Sequence, residues 1–260
     1  MYHSVGSNAI GSIGRSLFES HIAACRDYLS ALPKLPGEQQ VFDRISCQTQ
    51  QILLTFDDGY EDNFLIAAPI LEQYGFRALF FVSTGFINGE TDVAGSSRSY
   101  NGLRPMTWEQ VGLLRDRGHE IGFHGHTHRS FGLMSTEQVA HECELGLSLL
   151  DKILSLRPAS FAYPYGQFEH RSAFAEEFLA GAGIGRIFTT ENRRAGENEL
   201  AVIDSRTAIV PRLRIDPCDD VDRVTRTIVG EFDYVGYAQR FRSRLRGRPV
   251  ADSLTIGRNA

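Results

Sequence analysis

Short strand patterns alternate with helical patterns along most of this chain, and this alternation constrains the fold more than any other feature. Four apolar runs are too short for helices and predict buried strands, at residues 52–56, 78–82, 119–123 and 160–163. Helical patterns lie before or between these runs, at residues 16–32, 62–74 and 135–154. Strands separated by helices form βαβ units, so the sequence predicts an α/β fold with a parallel sheet or barrel.

Two adjacent carboxylates, Asp57 and Asp58, end the first of these runs, and Gly59 follows them as a turn residue. One interpretation is a solvated Asp-Asp-Gly turn. The other is a functional site, because charged side chains are rarely buried unless they are paired or bind a metal. The carboxyl ends of strands are also where α/β barrels and open sheets place their chemistry.

Three histidines after the strand at 119–123 favour the functional interpretation. If the chain stays extended, His124, His126 and His128 project to one side, and the first two resemble the His-x-His pair of amidohydrolase barrels. If the chain turns helically, His124 and His128 share a face. Either pair, with a carboxylate, makes a site with open positions that suits zinc or another divalent ion such as cobalt, manganese or nickel.

Three motifs resemble those of one known family. They are Thr55-Phe56-Asp57-Asp58-Gly59-Tyr60, His124-x3-His128 and Phe161-Ala162-Tyr163-Pro164-Tyr165-Gly166. In this order they resemble the polysaccharide deacetylases (NodB homology, carbohydrate esterase family 4), in the variant found in many exopolysaccharide deacetylases. The resemblance implies a distorted (β/α) barrel of the NodB type. It also implies a metal-dependent hydrolase that removes N-acetyl groups from a poly- or oligosaccharide containing GlcNAc.

The resemblance implies a role for each motif residue. Asp58, His124 and His128 are expected to hold the metal, and Asp57 to act as general base. The backbone N–H of Tyr165 is expected to stabilise the oxyanion. Substrate contacts are expected from three consecutive residues, Tyr163, Pro164 and Tyr165, although Tyr163 also fits a core position.

The chain departs from the family pattern at several positions. Gly125 replaces the usual Ser or Thr after the first histidine, and His126 then faces solvent or supports the ligands rather than binding the metal. Ala162 stands where an Arg often orients the catalytic Asp. Arg212 or Arg214 is a candidate for that missing positive charge, and a solvated Arg pair is the alternative.

The family's late histidine, its general acid, has no counterpart, because no histidine follows His170. We expect His3 to replace it, since 2–5 resembles a strand end and the first strand of a barrel can occupy the place of the last. The alternative is a frayed terminus.

Length and composition restrict the remaining possibilities. We expect one structural unit of 260 residues, with an extension at 1–50 packed on a deacetylase domain at 51–260. The net charge of −5 gives no indication of nucleic acid or an anionic membrane as partner, and nothing identifies a partner protein. No run approaches the ~20 apolar residues of a membrane span. No signal peptide is visible, so the chain as given is expected in the cytoplasm, or secreted or periplasmic if its start is misplaced.

Two other functions fit the same residues. One is hydrolysis of an acetyl ester or a small N-acyl compound, which the metal site does not distinguish from polysaccharide deacetylation. A long Gly- and Ser-rich loop predicted at 84–105 would shape the groove and decide between these substrates. The other is a metal-bearing carbohydrate-binding protein without catalysis. Asp57 argues against it, because a binding protein needs the metal ligands but not the base.

Overall fold

The computed structural model describes residues 1–6, 11–31, 52–90, 103–195, 201–202 and 207–245. Its strands are β1 (Ser4–Val5), β2 (Ser12–Ile13), β3 (Leu54–Phe56), β4 (Ala78–Val82), β5 (Glu120–Phe123), β6 (Ser160–Ala162), β7 (Arg186–Phe188), β8 (Ala201–Val202) and β9 (Ala208–Val210). Its α-helices are α1 (Arg15–Ala31), α2 (Ala68–Gln73), α3 (Thr84–Ile87), α4 (Trp108–Asp116), α5 (Thr136–Leu154), α6 (Ala173–Gly181), α7 (Val221–Ile228) and α8 (Asp233–Leu245). A π-helical turn, Asn63–Ala67, leads into α2, and 3₁₀ turns lie at Phe131–Leu133 and Phe168–His170.

The main sheet confirms the predicted α/β fold. Its strands lie in the order β3-β4-β5-β6-β7-β9-β8, and every pair is parallel except β8 with β9. Helices connect most neighbouring strands, because parallel strands need a crossover connection. Parallel strands therefore end together, and the residues that follow β3, β5 and β6 meet at one edge of the sheet.

Side chains on β4 show how the sheet separates two apolar layers. Ala78, Phe80 and Val82 pack in the large cluster between the sheet and the helices. Leu79 and Phe81 point to the other face and form a smaller cluster with residues of β6 and β7. Successive side chains of a strand point to opposite faces, so this alternation is the expected consequence of a strand covered on both sides.

The N-terminal residues lie against the free edge of β3. The Tyr2 N–H donates to Thr55 O at 2.8 Å, and the Asp57 N–H donates to Tyr2 O at 3.0 Å. On the other side, the Ile215 N–H donates to Met1 O at 3.2 Å. The first residues thus bridge β3 and the segment that follows β9.

One element differs from the sequence prediction. The start of the loop predicted at 84–105 is helical, because Thr84–Ile87 forms α3, and residues 91–102 of that loop lie outside the described part. The predicted boundary between residues 50 and 51 also lies outside it. Within the described residues, none of the helices has the length and apolar character needed to cross a membrane.

Candidate active site

The carboxyl ends of β3, β5 and β6 border one cavity of about 630 Å³. Its walls include the predicted site residues from all three motifs and from the N-terminus, namely His3, Asp57, Asp58, His124, His128, Tyr163 and Tyr165. The parallel order of the strands explains this convergence, because side chains far apart in sequence emerge at the same edge.

Asp58, His124 and His128 form a buried triad at the base of this cavity. Asp58 Oδ1 lies 3.3 Å from His124 Nε2 and 3.1 Å from His128 Nε2. One ligand atom from each residue falls within 4.8 Å of the others. His124 Nδ1 lies 2.8 Å from the carbonyl oxygen of Ala162, which assigns a proton to Nδ1 and leaves Nε2 as the ring atom that faces Asp58.

The chemistry of this triad fits a divalent cation. Asp58 Oδ1 is buried and makes no well-oriented hydrogen bond within the described structure, although two imidazoles lie close to it. Burial alone would raise the pKa of Asp58, but the facing imidazoles of His128 and His124 hold it well below its usual range. A carboxylate and two imidazoles that point at a common position are the donor set expected for zinc or a similar ion.

Asp57 lines the same cavity and forms a buried ion pair with Arg212. Arg212 Nη1 donates to Asp57 Oδ1 at 2.6 Å, and Arg212 Nη2 donates to Oδ2 at 2.8 Å. The guanidinium also lies over the rings of Phe81 and Phe188, at 5.2 and 5.9 Å from their centroids. Burial would raise the pKa of Asp57, but the facing guanidinium outweighs it and holds that pKa below its usual value.

Of the two arginines considered from the sequence, the structure therefore places Arg212 against Asp57. Arg214 instead pairs with Asp216 at 2.7 Å, and its side chain is 59% exposed.

His3 lines the cavity beside the two aspartates, as the strand-end hypothesis requires. The pairing of Tyr2 with Phe56 carries His3 to this position, and Asn63 Nδ2 donates to His3 O at 2.6 Å. Burial lowers the pKa of His3, while the charges of Asp58 and Asp57 act in the opposite direction. In this conformation the segment is hydrogen-bonded on both sides, to β3 and to Ile215.

The segment after β6 places Tyr165 at the mouth of the cavity. The Gly166 N–H donates to Pro164 O at 2.8 Å, so Tyr165 is the central residue of a γ-turn, with φ of 65°. Its side chain is 40% exposed, and its ring lies 5.1 Å from the His128 ring. Pro164 is buried beneath this turn and contributes no N–H.

Tyr163 occupies a core position at the back of the cavity. Its ring packs against Phe131 and Phe161. Its hydroxyl donates to Ser172 O at 3.0 Å, so this group already has a partner within the fold.

His126 lies outside the triad and does not face solvent. It is 5% exposed, its Nδ1 lies 3.0 Å from Thr84 Oγ1, and its Nε2 lies 3.3 Å from Glu90 Oε2. These contacts tie the histidine segment to α3, so the side chain supports the loop rather than the metal ligands directly.

Backbone strain is concentrated at this site. Among the described residues, four that are not glycine have positive φ. Three of these four belong to the site, namely Asp58 at 77°, His128 at 54° and Tyr165 at 65°. The fourth, Ser155, is the C-cap of α5. Such conformations cost of order 1–3 kcal/mol each and persist where the surrounding structure enforces them, typically at functional sites.

Comparison with known proteins agrees with this geometry. The sequence model of the family described as "Polysaccharide deacetylase" matches residues 46–180, which is just over half of the chain. The chain belongs to the polysaccharide deacetylase family. It is also similar to the candidate polysaccharide deacetylase YxkH of Bacillus subtilis (strain 168), with 26% identity over 213 residues that cover 81% of this chain and 70% of YxkH.

Solved structures of similar proteins confirm the predicted distorted (β/α) barrel of the NodB type. The deacetylase PplD of Streptococcus pyogenes, solved with acetate, superposes with a TM-score of 0.65 and 22% identity, covering 88% of this chain and 96% of that one. IcaB from Ammonifex degensii superposes with a TM-score of 0.61 and 23% identity, covering 87% and 94% of the two chains.

Two residues that hold the site segments of this polysaccharide deacetylase family member were not predicted from its sequence. Glu142 on α5 accepts hydrogen bonds from the segment that carries the histidines, and Asn63 in the π-helical turn holds His3 O. Both act on backbone atoms of distant segments. A sequence pattern carries no signal for such contacts, although a glutamate on the apolar side of a long helix is the kind of irregularity that marks a buried polar contact.

Proposed function

We propose that this member of the polysaccharide deacetylase family is a metal-dependent hydrolase that removes N-acetyl groups from a poly- or oligosaccharide containing GlcNAc. The main support for this proposal is that two adjacent aspartates, Asp57 and Asp58, lie in different environments. Asp58 faces two imidazoles, and Asp57 faces a guanidinium, at the same end of the sheet. One carboxylate is thereby suited to hold a cation, and the other is kept ionised and oriented next to it.

Asp58, His124 and His128 would hold the cation, and their donor set favours zinc, with cobalt, manganese or nickel as alternatives. A divalent ion supplies a lowered pKa to bound water and polarises a nearby carbonyl. His124 can serve this site only through Nε2, because Nδ1 is engaged by Ala162 O. That contact fixes the orientation of the ring as well as its tautomer.

Asp57 would take the proton of the attacking water. The Arg212 guanidinium holds the pKa of Asp57 below its usual value, so the carboxylate is ionised at neutral pH and free of a proton when water binds, at some cost in basicity. The bidentate contact with Arg212 fixes the carboxylate plane, which limits the orientations in which a proton reaches it. A protein that only binds carbohydrate has no use for such an oriented carboxylate, and this favours catalysis over the binding-protein alternative.

The backbone N–H of Tyr165 would donate to the carbonyl oxygen of the acetyl group as negative charge develops there. The strained γ-turn at Tyr165 supports this assignment, because it presents the backbone to the cavity at a fixed angle. The exposed ring of Tyr165 would pack on the sugar. Pro164 would shape this contact from below, and Tyr163 would form the wall behind it.

His3 would donate a proton to the leaving amine. Burial lowers its pKa, which favours the neutral ring before the reaction begins. The role of acid therefore requires that His3 takes up a proton during turnover, and Asp57, which acquires one from water, lines the same cavity.

Acetate release from N-acetylglucosamine oligomers tests the proposal. The zinc-loaded wild type should release acetate, and D57N should lose about 10²–10⁴-fold in turnover while its zinc content stays the same. D222N is the matched control, since the side chain of Asp222 is 75% exposed and does not line the cavity.

Full turnover by D57N would refute its role as base. Zinc-loaded wild type that cleaves acetyl esters but no N-acetyl oligomer would replace the proposed substrate by an ester. Zinc-loaded wild type that cleaves neither would support the carbohydrate-binding alternative.

A further inference from the structure

The two histidines of the triad are held by different kinds of structure. His124 directly follows β5, where its N–H donates to Val82 O at 3.0 Å and its ring contacts Ala162 O. His128 lies four residues further on, beyond the strand and with positive φ. Its distance to Asp58 therefore depends on the conformation of residues 125–127.

Glu142, a residue of α5, holds this connecting segment. Its Oε1 accepts from the His126 N–H at 2.7 Å and from the Thr127 N–H at 2.6 Å. The Thr127 hydroxyl lies 3.1 Å from Oε1 and 2.9 Å from Oε2. The glutamate is 5% exposed. A buried carboxylate is costly unless it is hydrogen-bonded, so carboxylate and segment stabilise each other in this one arrangement.

Gly125 permits the close approach of this carboxylate. It has φ of 79°, and a Cβ at this position would lie 3.2 Å from Glu142 Oε1 and 3.4 Å from the Phe131 ring. A side chain there would be strained by the backbone and would press on the carboxylate. The departure from the Ser or Thr expected at position 125 and the buried glutamate on α5 are therefore linked features of this chain.

We propose that Glu142 is a positioning residue for the metal site. Its carboxylate sets the conformation of residues 125–127 in which His128 joins Asp58 and His124. The inference rests on the proposed function only in requiring that the triad binds a metal. The rival explanation is that Glu142 adds general stability, like Glu120, whose carboxylate pairs with Ser160 and Arg186 at the opposite end of β5.

Metal affinity, measured separately from stability, distinguishes the two explanations. Zinc dissociation constants would be determined by competition with a chromogenic chelator for wild type, E142A, E142Q and E120A. Unfolding midpoints would be measured on the same proteins in EDTA. We expect E142A to bind zinc about 10–100-fold more weakly, as loss of a group that orients metal ligands typically does. E142Q should stay within about threefold of wild type, because its amide oxygen still accepts from both N–H groups.

E120A should lose stability in EDTA but keep its zinc affinity. If E142A binds zinc as tightly as wild type, or if E120A weakens binding as much as E142A, the inference is wrong while the proposed function stands. If wild type itself binds no zinc, both fail. Should E142A not fold, as judged by circular dichroism, E142D carries the same prediction, since its shorter side chain cannot reach both N–H groups of the segment.

Discussion

Replacement of Arg212 by methionine should destabilise the protein strongly and in a pH-dependent manner. The two side chains of the Arg212–Asp57 pair are 4% and 3% exposed and share two short hydrogen bonds. Arg212 also donates to Thr55 Oγ1 and Thr189 O, each at 3.3 Å. R212M retains apolar contact with the Phe81 and Phe188 rings but leaves the Asp57 carboxylate buried without its partner. Removal of one member of a buried ion pair costs about 3–5 kcal/mol.

The pH dependence follows from the direction of the pKa shift at Asp57. In the wild type its folded pKa lies below the usual value, so its contribution to stability is complete above the unfolded pKa of about 4 and is lost as pH falls through the folded pKa. In R212M the guanidinium is lost, and burial, the largest influence on Asp57, is opposed only by the imidazoles of His124 and His3, so we expect the folded pKa to rise above its usual value. The variant then loses stability as pH rises from about 4 through that raised pKa.

Urea unfolding of metal-free protein between pH 4.5 and 8 measures both effects. The difference in unfolding free energy between wild type and R212M should be small at the acidic end and reach its full value near pH 8. R214M is the matched control, because Arg214 is exposed and its surface ion pair is worth at most about 1 kcal/mol. A loss below about 1 kcal/mol in R212M, or a loss independent of pH, would refute the reasoning.

Two further predictions concern the cavity. H3A should reduce turnover by about 10²–10⁴-fold without changing zinc affinity. Stopped assays of acetate release measure the turnover, and zinc titration measures the affinity. Unchanged turnover would eliminate His3 as the acid. Zinc at about 100 times its dissociation constant should stabilise the wild type by about 2.7 kcal/mol relative to EDTA, and H128A should lose this gain. Equal unfolding midpoints of the wild type with and without zinc would contradict the proposed triad.

Strand ends were the part of the site that the sequence could predict. Asp57, Asp58 and His124 each follow a short apolar run, and parallel strands place such residues at a common edge. The structure brings these side chains together for that reason. The position of His128 was open from the residues alone, because an extended chain and a turning chain predict different histidine pairs. Only the resemblance to the deacetylases favoured it.

Contacts between segments distant in sequence were less predictable. Arg212 and Arg214 could not be separated, since both lie in a stretch without clear periodicity, and their side chains point to opposite environments. Arg212 faces the interior because its guanidinium finds Asp57 there, 155 positions away. The helix α3, in a segment rich in Gly and Ser, was missed because its hydrogen bonds to the histidine loop outweigh a weak local propensity.

The strained residues of the site connect these observations. Asp58 is the central residue of a γ-turn, since the Gly59 N–H donates to Asp57 O at 3.0 Å, and this turn sends two adjacent carboxylates in different directions. In a regular strand, adjacent side chains would also point apart, but to opposite faces of the sheet. The turn instead keeps both carboxylates at one cavity, where Asp58 faces His124 and His128 while Asp57 faces Arg212. The separation of a cation site from a proton-accepting site thus depends on a backbone conformation that the surrounding barrel must enforce.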